Sequence, residues 1–552
     1  MREKIKKILP WSLLLLAGLA AYAPTFRGGF VWDDRTVVAD NPFIKGWDRT
    51  MTAFTPDYWR HFHPVQGARY RPLRNVSFTL DYTFGRLDPL VYKLTNFGLH
   101  FAAAALLFLF ARRLFGAELP AAATGCVFMA WPRLMENVAW VRNRGEIMAA
   151  ICLLWGLLLI HDRDARLELK LAGLLLLGLL SIESALVIPL VWGLYLALFG
   201  GEEPLKALKL LYPALGLLAA YAAFMFYLAG GLPSAGGGAL DWLKAWGGYI
   251  WLSVMPYGVN PVRALPGLPA LAAIATAAAV VWALRKDRIA LFLAAWIPLS
   301  LTAAALPFRG RPMADHAAYY ACIAAALLLV YLVKNYARAK IGLAIFVILN
   351  IIIIAHNGKV YAEERALWEY AFTRAPADGT VLLNLGRVYM ASGEPEKAAP
   401  FLKKATADGS SGAYAYNDLG LAAQQEGKTD EALSYFGMAI QMDPSFYGGY
   451  LNRGGVRYMR GLHEEARADW EAAMALAPNR PEVYNNLGLY YAGLGKLAEA
   501  KDYFYEAVVI DPEFAEAREN LVVVHRKLGQ DQMAREELYR LSKIKARNAA
   551  SR

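Results

Sequence analysis

The chain has 552 residues, 57% of them hydrophobic, with a mean hydropathy of +0.28 and a formal net charge of +11. After residue 360 it holds 23 Lys+Arg against 27 Asp+Glu, leaving 35 against 20 before that point, so the positive charge sits in the apolar part. This excludes a soluble enzyme throughout, and also a nucleic-acid binder identified by its charge, because such an excess of Lys and Arg belongs to membrane topology.

Apolar runs long enough for a bilayer predict membrane helices near 8-25, 93-112, 118-133, 144-160, 168-182, 184-200, 207-229, 267-284, 288-305, 314-333 and 338-356, eleven in all. The first follows Met-Arg-Glu-Lys-Ile-Lys-Lys but ends in an imperfect cleavage site at Tyr22-Ala23-Pro24, which predicts an uncleaved membrane helix. With eleven crossings, the clusters around Lys6/Lys7, Arg112/Arg113, Arg163/Arg166, Lys206/Lys209, Arg285/Lys286 and Lys334/Arg338 share one side, the cytoplasmic one. The segment 238-258, with Trp242, Trp246, Tyr249 and Trp251, is then expected to lie at the headgroup level rather than cross. Loops 26-92, 134-143, 229-266 and 306-313, and everything after residue 357, face the outside. Cys126, Cys152 and Cys322 fall in apolar runs without CxxC spacing and read as small hydrophobes.

The loop 26-92 exceeds ordinary connection length and is rich in aromatic and charged residues, so chemistry is expected on its face of the membrane. Asp33 and Asp34 follow Phe30-Val31-Trp32 directly, and two carboxylates beside an apolar, aromatic run are costly to bury unpaired, so one of them is expected to have a raised pKa unless the pair is a solvated loop feature. Arg71, Glu136, Arg142, Arg144, Arg309, Arg311 and His316 all stand in or beside outer loops; arginines there run against the positive-inside bias and suit an anionic ligand such as a lipid-linked phosphate. Glu183, between two apolar runs and followed by Pro189, is an ionisable residue at the membrane and therefore a functional candidate.

From residue 376 onward a period of 34 is countable. Gly393, Gly427, Gly461, Gly495 and Gly529 keep it, as do Ala398, Ala432, Ala466, Ala500 and Ala534, while Gly386, Gly420, Gly454 and Gly488 mark the first helix of each unit. This is the tetratricopeptide pattern of helix-turn-helix units that bury their apolar stripes only against one another. Four full units and a fifth beginning near 512 are expected, preceded by a half unit at 364-375 and closed by a polar-faced helix at about 532-547.

Phe30-Val31-Trp32-Asp33-Asp34, Asn41-Pro42, Tyr70-Arg71-Pro72-Leu73, Tyr92 with Asn96 and His100, Pro132 with Glu136-Asn137-Val138, Arg144-Gly145-Glu146, Glu183 with Pro189, and the repeats occur in an order that resembles the transmembrane and tetratricopeptide-repeat O-mannosyltransferase-like family of polyprenyl-phosphate-dependent glycosyltransferases, in a bacterial relative. The resemblance implies an all-α, polytopic membrane protein of the multispanning C-type glycosyltransferase fold. Residues 1-357 form the membrane domain with loop 26-92, 358-375 a connecting half-repeat helix, and 376-552 the repeat solenoid.

The resemblance further implies transfer of a sugar, with inversion, from a polyprenyl-phosphate donor to hydroxyl side chains of a periplasmic or secreted protein held by the repeats. Asp33 or Asp34 would be the base, with a slight preference for Asp34 as the one further from the membrane. Arg71, Arg142, Arg144, Arg309, Arg311 and His316 would supply the phosphate clamp, and Glu136 and Glu183 would position donor or arginine. The lipid-linked sugar is the donor substrate, no cofactor is assigned with it, no metal ligands are assigned, and the need for a divalent metal stays open. The expected location is the bacterial inner membrane, with a cytoplasmic amino terminus and no nucleic-acid partner. Leu134, Lys93, Ile182 and Asp315-His316 depart from the family's pattern, which leaves the donor sugar open. Two rivals are a non-catalytic membrane-anchored repeat scaffold and a glycosyltransferase acting on lipid A or an envelope polysaccharide.

Overall fold

The computed structural model describes residues 2-39, 41-55, 70-163, 165-201, 207-229, 239-254, 268-302, 318-408 and 411-550, and these contain helices and no strand. Two compact units emerge, one of residues 1-39 and 67-371, the other of 40-66 and 372-552.

In the first unit every predicted membrane segment has a helical counterpart, from Arg2–Tyr22 through Pro89–Phe115, Arg144–Asp162 and Tyr212–Ala229 to Ala337–Gly358. Among the described residues five stretches are long and apolar enough to cross a bilayer by themselves, namely Ile8–Arg27, Pro89–Phe115, Val141–Asp162, Leu208–Leu228 and Ala337–Gly358, and shorter apolar helices pack among them. The chain is therefore a multi-pass membrane protein. Local chemistry sets the helix ends: Asp88 accepts from Leu90 N at 2.9 Å, with Pro89 opening that helix and Gly116 closing it in the left-handed region. On Ala337–Gly358, Ile341, Ile345, Ile348 and Ile352 stay exposed, as a lipid-facing stripe requires.

Two loops carry more structure than their composition announces. The stretch 132-143 folds into three short helical turns that are buried almost throughout, and Pro72–Gly85 forms a helix within the long first loop. The segment expected at the headgroup level is a helix, Ala239–Val254, whose Trp246 Nε1 donates to the Pro298 carbonyl at 2.9 Å. The side chains of Trp242 and Trp251 lie outside the described residues. Cys152 and Cys322 are buried and Cys126 partly so, each as a free thiol.

The second unit explains its period atom by atom. Gly393, Gly427, Gly461, Gly495 and Gly529 all have φ between +70° and +77°, the conformation that ends the first helix of each unit. Gly454 meets Trp470: a Cβ there would come within 2.6 Å of the indole nitrogen, and Gly386, Gly420 and Gly488 stand likewise over Leu402, Phe436 and Phe504. The large residue is thus also repeated every 34. Ala398, Ala432, Ala466 and Ala500 are fully buried where the paired helices cross. Asn452 Nδ2 donates to Asn417 Oδ1, and Asn520 Nδ2 to Asn485 Oδ1, both at 2.8 Å, linking successive units.

Residues 41-55 belong to this second unit. The Arg49 guanidinium donates to the Val509 and Ile510 carbonyls, both at 2.9 Å, at the carboxyl end of Leu497–Ile510, and Lys45 faces Glu513 at 3.8 Å. A cation at that end satisfies orphan carbonyls and complements the helix dipole.

Two glycines in one repeat should respond oppositely to alanine. Gly461→Ala is expected to cost about 1–2 kcal/mol, the penalty of a left-handed L-residue. Gly455, inside Tyr447–Met459 with nothing near its missing Cβ, should gain about 0.5–1 kcal/mol on the same change. Chemical denaturation of both variants reads the sign, and equal shifts would contradict this account of the turn.

Candidate active site

The site is built where the first membrane helix leaves the bilayer. After the turn Ala23–Arg27, Trp32 adopts φ 49°, a conformation costly for a bulky residue. Its ring is wedged between Trp140 (4.6 Å) and Trp368 (4.9 Å). Trp140 Nε1 also donates to the Val31 carbonyl at 3.1 Å, which holds the strand of chain leading to the two aspartates.

Asp33 and Asp34 end in different environments. Asp34 is fully buried and accepts from the backbone N–H of Arg142 at 2.9 Å and of Val141 at 3.3 Å, the free donors at the start of the Val141–Asp162 stretch. Burial pushes its carboxyl up to about 7, opposed by those two N–H groups and by the nearby Lys93 ammonium. Lys93 itself is buried, donating to the Thr25 and Gly28 carbonyls at 3.0 and 2.9 Å. Asp33, whose side chain retains 22% of its exposure, pairs with the Arg142 guanidinium.

Arg142 is also within electrostatic reach of Glu183. Glu183 Oε2 receives two bonds from Arg71, at 2.7 Å from Nε and 2.6 Å from the terminal nitrogen. Asp33, Arg142, Glu183 and Arg71 therefore form a chain of alternating charge, and each side chain remains between 11 and 26% exposed. Tyr221, from the helix Tyr212–Ala229, lies within electrostatic range of Arg71 and Glu183, and Phe224 on the same helix packs on Tyr70 at 4.9 Å.

Around this chain stands a buried frame. Arg144 is fully buried: Nε donates to Asn96 Oδ1 at 2.7 Å, its terminal nitrogens reach Ser77 Oγ at 3.1 Å and the Tyr92 carbonyl at 2.9 Å, and Asp81 pairs with it at 2.5 Å. All its donors are thus turned inward. Glu136 is likewise buried, in the helical turn Met135–Ala139. Glu146 accepts from Ser184 Oγ at 2.7 Å, which also meets Tyr320 OH at 2.9 Å.

Of the residues singled out in the sequence, Asp33, Asp34, Arg71, Arg142 and Glu183 converge, and Arg144 and Glu136 lie in the frame beneath; Arg309, Arg311 and His316 lie outside the described residues. Tyr221, Ser184 and Tyr320 are the members that the linear reading missed. Tyr221 gave no signal, being one tyrosine in an apolar helix, whereas Ser184 adjoins Glu183 and was within reach of it. Among the described residues, no group of three or more His, Cys, Asp or Glu is placed to hold a metal ion.

Apolar membrane helices carrying a polar, accessible cluster at one end, joined to a helical repeat array, define a membrane protein with a built polar site and a tetratricopeptide domain. Tetratricopeptide-repeat family models match residues 381–413, 413–446 and 481–514. The chain is 34% identical over 149 residues to the protein O-mannosyl-transferase Tmtc1 of Drosophila melanogaster, covering 25% of this chain and 17% of that protein. It is 32% identical over 230 residues to Tmtc2 of the same organism, 39% and 24%, and 27% identical over 183 residues to the protein O-mannosyl-transferase F38B6.6 of Caenorhabditis elegans, 32% and 26%. The matched stretch thus spans about a quarter or less of these relatives' length. Among solved structures, Pseudomonas aeruginosa pilF is 26% identical, covering 31% of this chain and 78% of that one with a TM-score of 0.29. The chain carries tetratricopeptide repeats and is homologous, at about 30% identity, to the TMTC protein O-mannosyltransferases.

Proposed function

We propose that the protein is an integral-membrane glycosyltransferase that moves a sugar from a polyprenyl-phosphate donor to hydroxyl side chains of a protein, with the repeats recruiting that acceptor. The observation carrying this reading is the accessible Asp33–Arg142 pair beside Arg71–Glu183, two carboxylates and two guanidinium groups together at the end of the membrane helices. The names of the relatives, protein O-mannosyl-transferases, make mannose the first sugar to test.

In this mechanism Asp33 is the base. Its carboxylate takes the acceptor hydroxyl proton as the oxygen attacks the anomeric carbon; the bond from that carbon to the phosphate oxygen breaks, and the electron pair leaves with the polyprenyl phosphate. Arg142 and Arg71 stabilise the charge developing on the phosphate, which competes for them with Asp33 and Glu183. Single displacement inverts the anomeric centre. Asp34, although one residue further from the membrane, is assigned the supporting role: its burial and backbone bonds suit an anchor for the start of the Val141–Asp162 stretch. Arg144 and Glu136 belong to the frame, and Arg309, Arg311 and His316 remain further candidates for the clamp. The site is proposed to face the periplasm or exterior, with the amino terminus in the cytoplasm of a bacterial host.

The test is transfer of radiolabelled sugar from polyprenyl-phosphate mannose to a panel of Ser/Thr-containing proteins by the purified full-length chain in detergent. Arg71→Gln should raise the donor KM at least tenfold while thermal stability stays close to wild type, because its loss frees Glu183 at a partly solvated position. No transfer by the wild type across several hexose donors would favour the scaffold reading. An unchanged donor KM in both Arg71→Gln and Arg142→Gln would remove the arginines from the clamp.

A further inference from the structure

At the opposite end of the helix Arg144–Asp162, about 28 Å from the candidate site at 1.5 Å per residue, the described residues line an open pocket of about 560 Å³. Its apolar wall includes Leu167, Leu196, Phe199 and Leu210, and its polar wall His161, Arg163 and Arg166. Tyr195 OH meets His161 Nδ1 at 2.7 Å, and both residues line the pocket. Asp162 is bound bidentately by Arg113, both bonds 2.7 Å, and so does not neutralise the arginines. Among the described residues Arg163 and Arg166 make no ion pair, and Glu168 is the one carboxylate lining the space. Both arginines also hold a left-handed backbone, φ 52° and 54°, in the tight connection to Leu167–Ser181.

An open pocket with an apolar wall, lined also by two exposed guanidinium groups that make no ion pair among the described residues, at the end of membrane helices, matches the two halves of one molecule: acyl chain against leucine and phenylalanine, phosphate against arginine. We propose that this pocket binds an anionic phospholipid, its phosphate held by Arg163 and Arg166 and its upper acyl chain between Leu196 and Phe199. Charge and wall chemistry together select this occupant. A soluble phosphate compound would leave the apolar wall unused, and a neutral lipid would leave the guanidinium groups without a partner. The site is independent of the proposed transfer chemistry.

Native mass spectrometry of the full chain in detergent, titrated with phosphatidylglycerol, phosphatidylcholine or inorganic phosphate, tests this. One phosphatidylglycerol is expected to stay bound at least tenfold more tightly than phosphatidylcholine. Arg163→Gln with Arg166→Gln should abolish that preference, whereas Arg338→Gln with Lys340→Gln, at another basic cluster, should not. Ala207→Trp, which fills the pocket without touching charge, should expel the lipid too. Equal losses in the two double variants would reduce the effect to general surface charge and overturn the proposal. So would retention of the lipid in Ala207→Trp, or displacement of phosphatidylglycerol by millimolar inorganic phosphate.

Discussion

Asp33→Asn is expected to lower sugar transfer by about 10²- to 10⁴-fold, the range a positioned general base supplies, while the protein remains folded and keeps its affinity for the lipid donor. An acceptor hydroxyl is too weak an acid to lose its proton unaided, and Asp33 is the partly exposed member of the aspartate pair, held in place by Arg142. The amide preserves shape and cannot take the proton. Donor binding should persist because Arg142 and Arg71 are retained. Asp34→Asn should behave differently: its buried oxygens accept backbone N–H groups, so its loss should show first as lowered thermal stability. Initial rates with labelled donor, alongside melting curves, separate the two. Wild-type rates in Asp33→Asn would displace it from the role of base, and equal loss of stability in the two variants would make Asp33 structural.

Arg144→Ala should destabilise the membrane unit by about 3–5 kcal/mol, the cost of removing one partner from a buried pair. The guanidinium joins Asn96, Ser77, Tyr92 and Asp81 and lies over the Phe78 ring at 4.9 Å, so truncation leaves the buried Asp81 carboxylate uncompensated. Lysine should rescue only partly, since an ammonium lacks the planar fork that serves several acceptors at once. Differential scanning fluorimetry in detergent is the check. A melting temperature within a degree of wild type for Arg144→Ala would mean that the frame does not depend on this residue.

The repeats and the helical nature of the membrane part are legible in the sequence because their causes are local or periodic. A left-handed turn admits glycine, a close crossing admits alanine, and a membrane helix needs an apolar run, so each leaves a mark at a fixed spacing. Arg71 and Arg142 are marked as outer-loop arginines against the positive-inside bias, Glu183 as an ionisable residue at the membrane, and Asp33 and Asp34 as a carboxylate pair directly after an apolar run. Linear order does not separate Asp33 from Asp34: the left-handed turn at Trp32 and the rings of Trp140 and Trp368 decide which of two adjacent carboxylates enters the protein. Nor does it separate Arg142 from Arg144, two residues apart on a helical start and therefore on different faces. The bond from Arg49 to the Ile510 carbonyl spans 461 positions, a distance over which no local pattern reports.

The central claim, that this membrane protein places sugars on protein hydroxyls, is met most directly by mass spectrometry of envelope and secreted proteins from three strains: wild type, a deletion, and the deletion complemented with Asp33→Asn. Hexose additions on Ser or Thr of specific proteins should be present in the wild type and absent from both other strains, with the Asp33→Asn protein itself at normal abundance. The same additions persisting in the deletion strain, or restored by Asp33→Asn, would contradict the account.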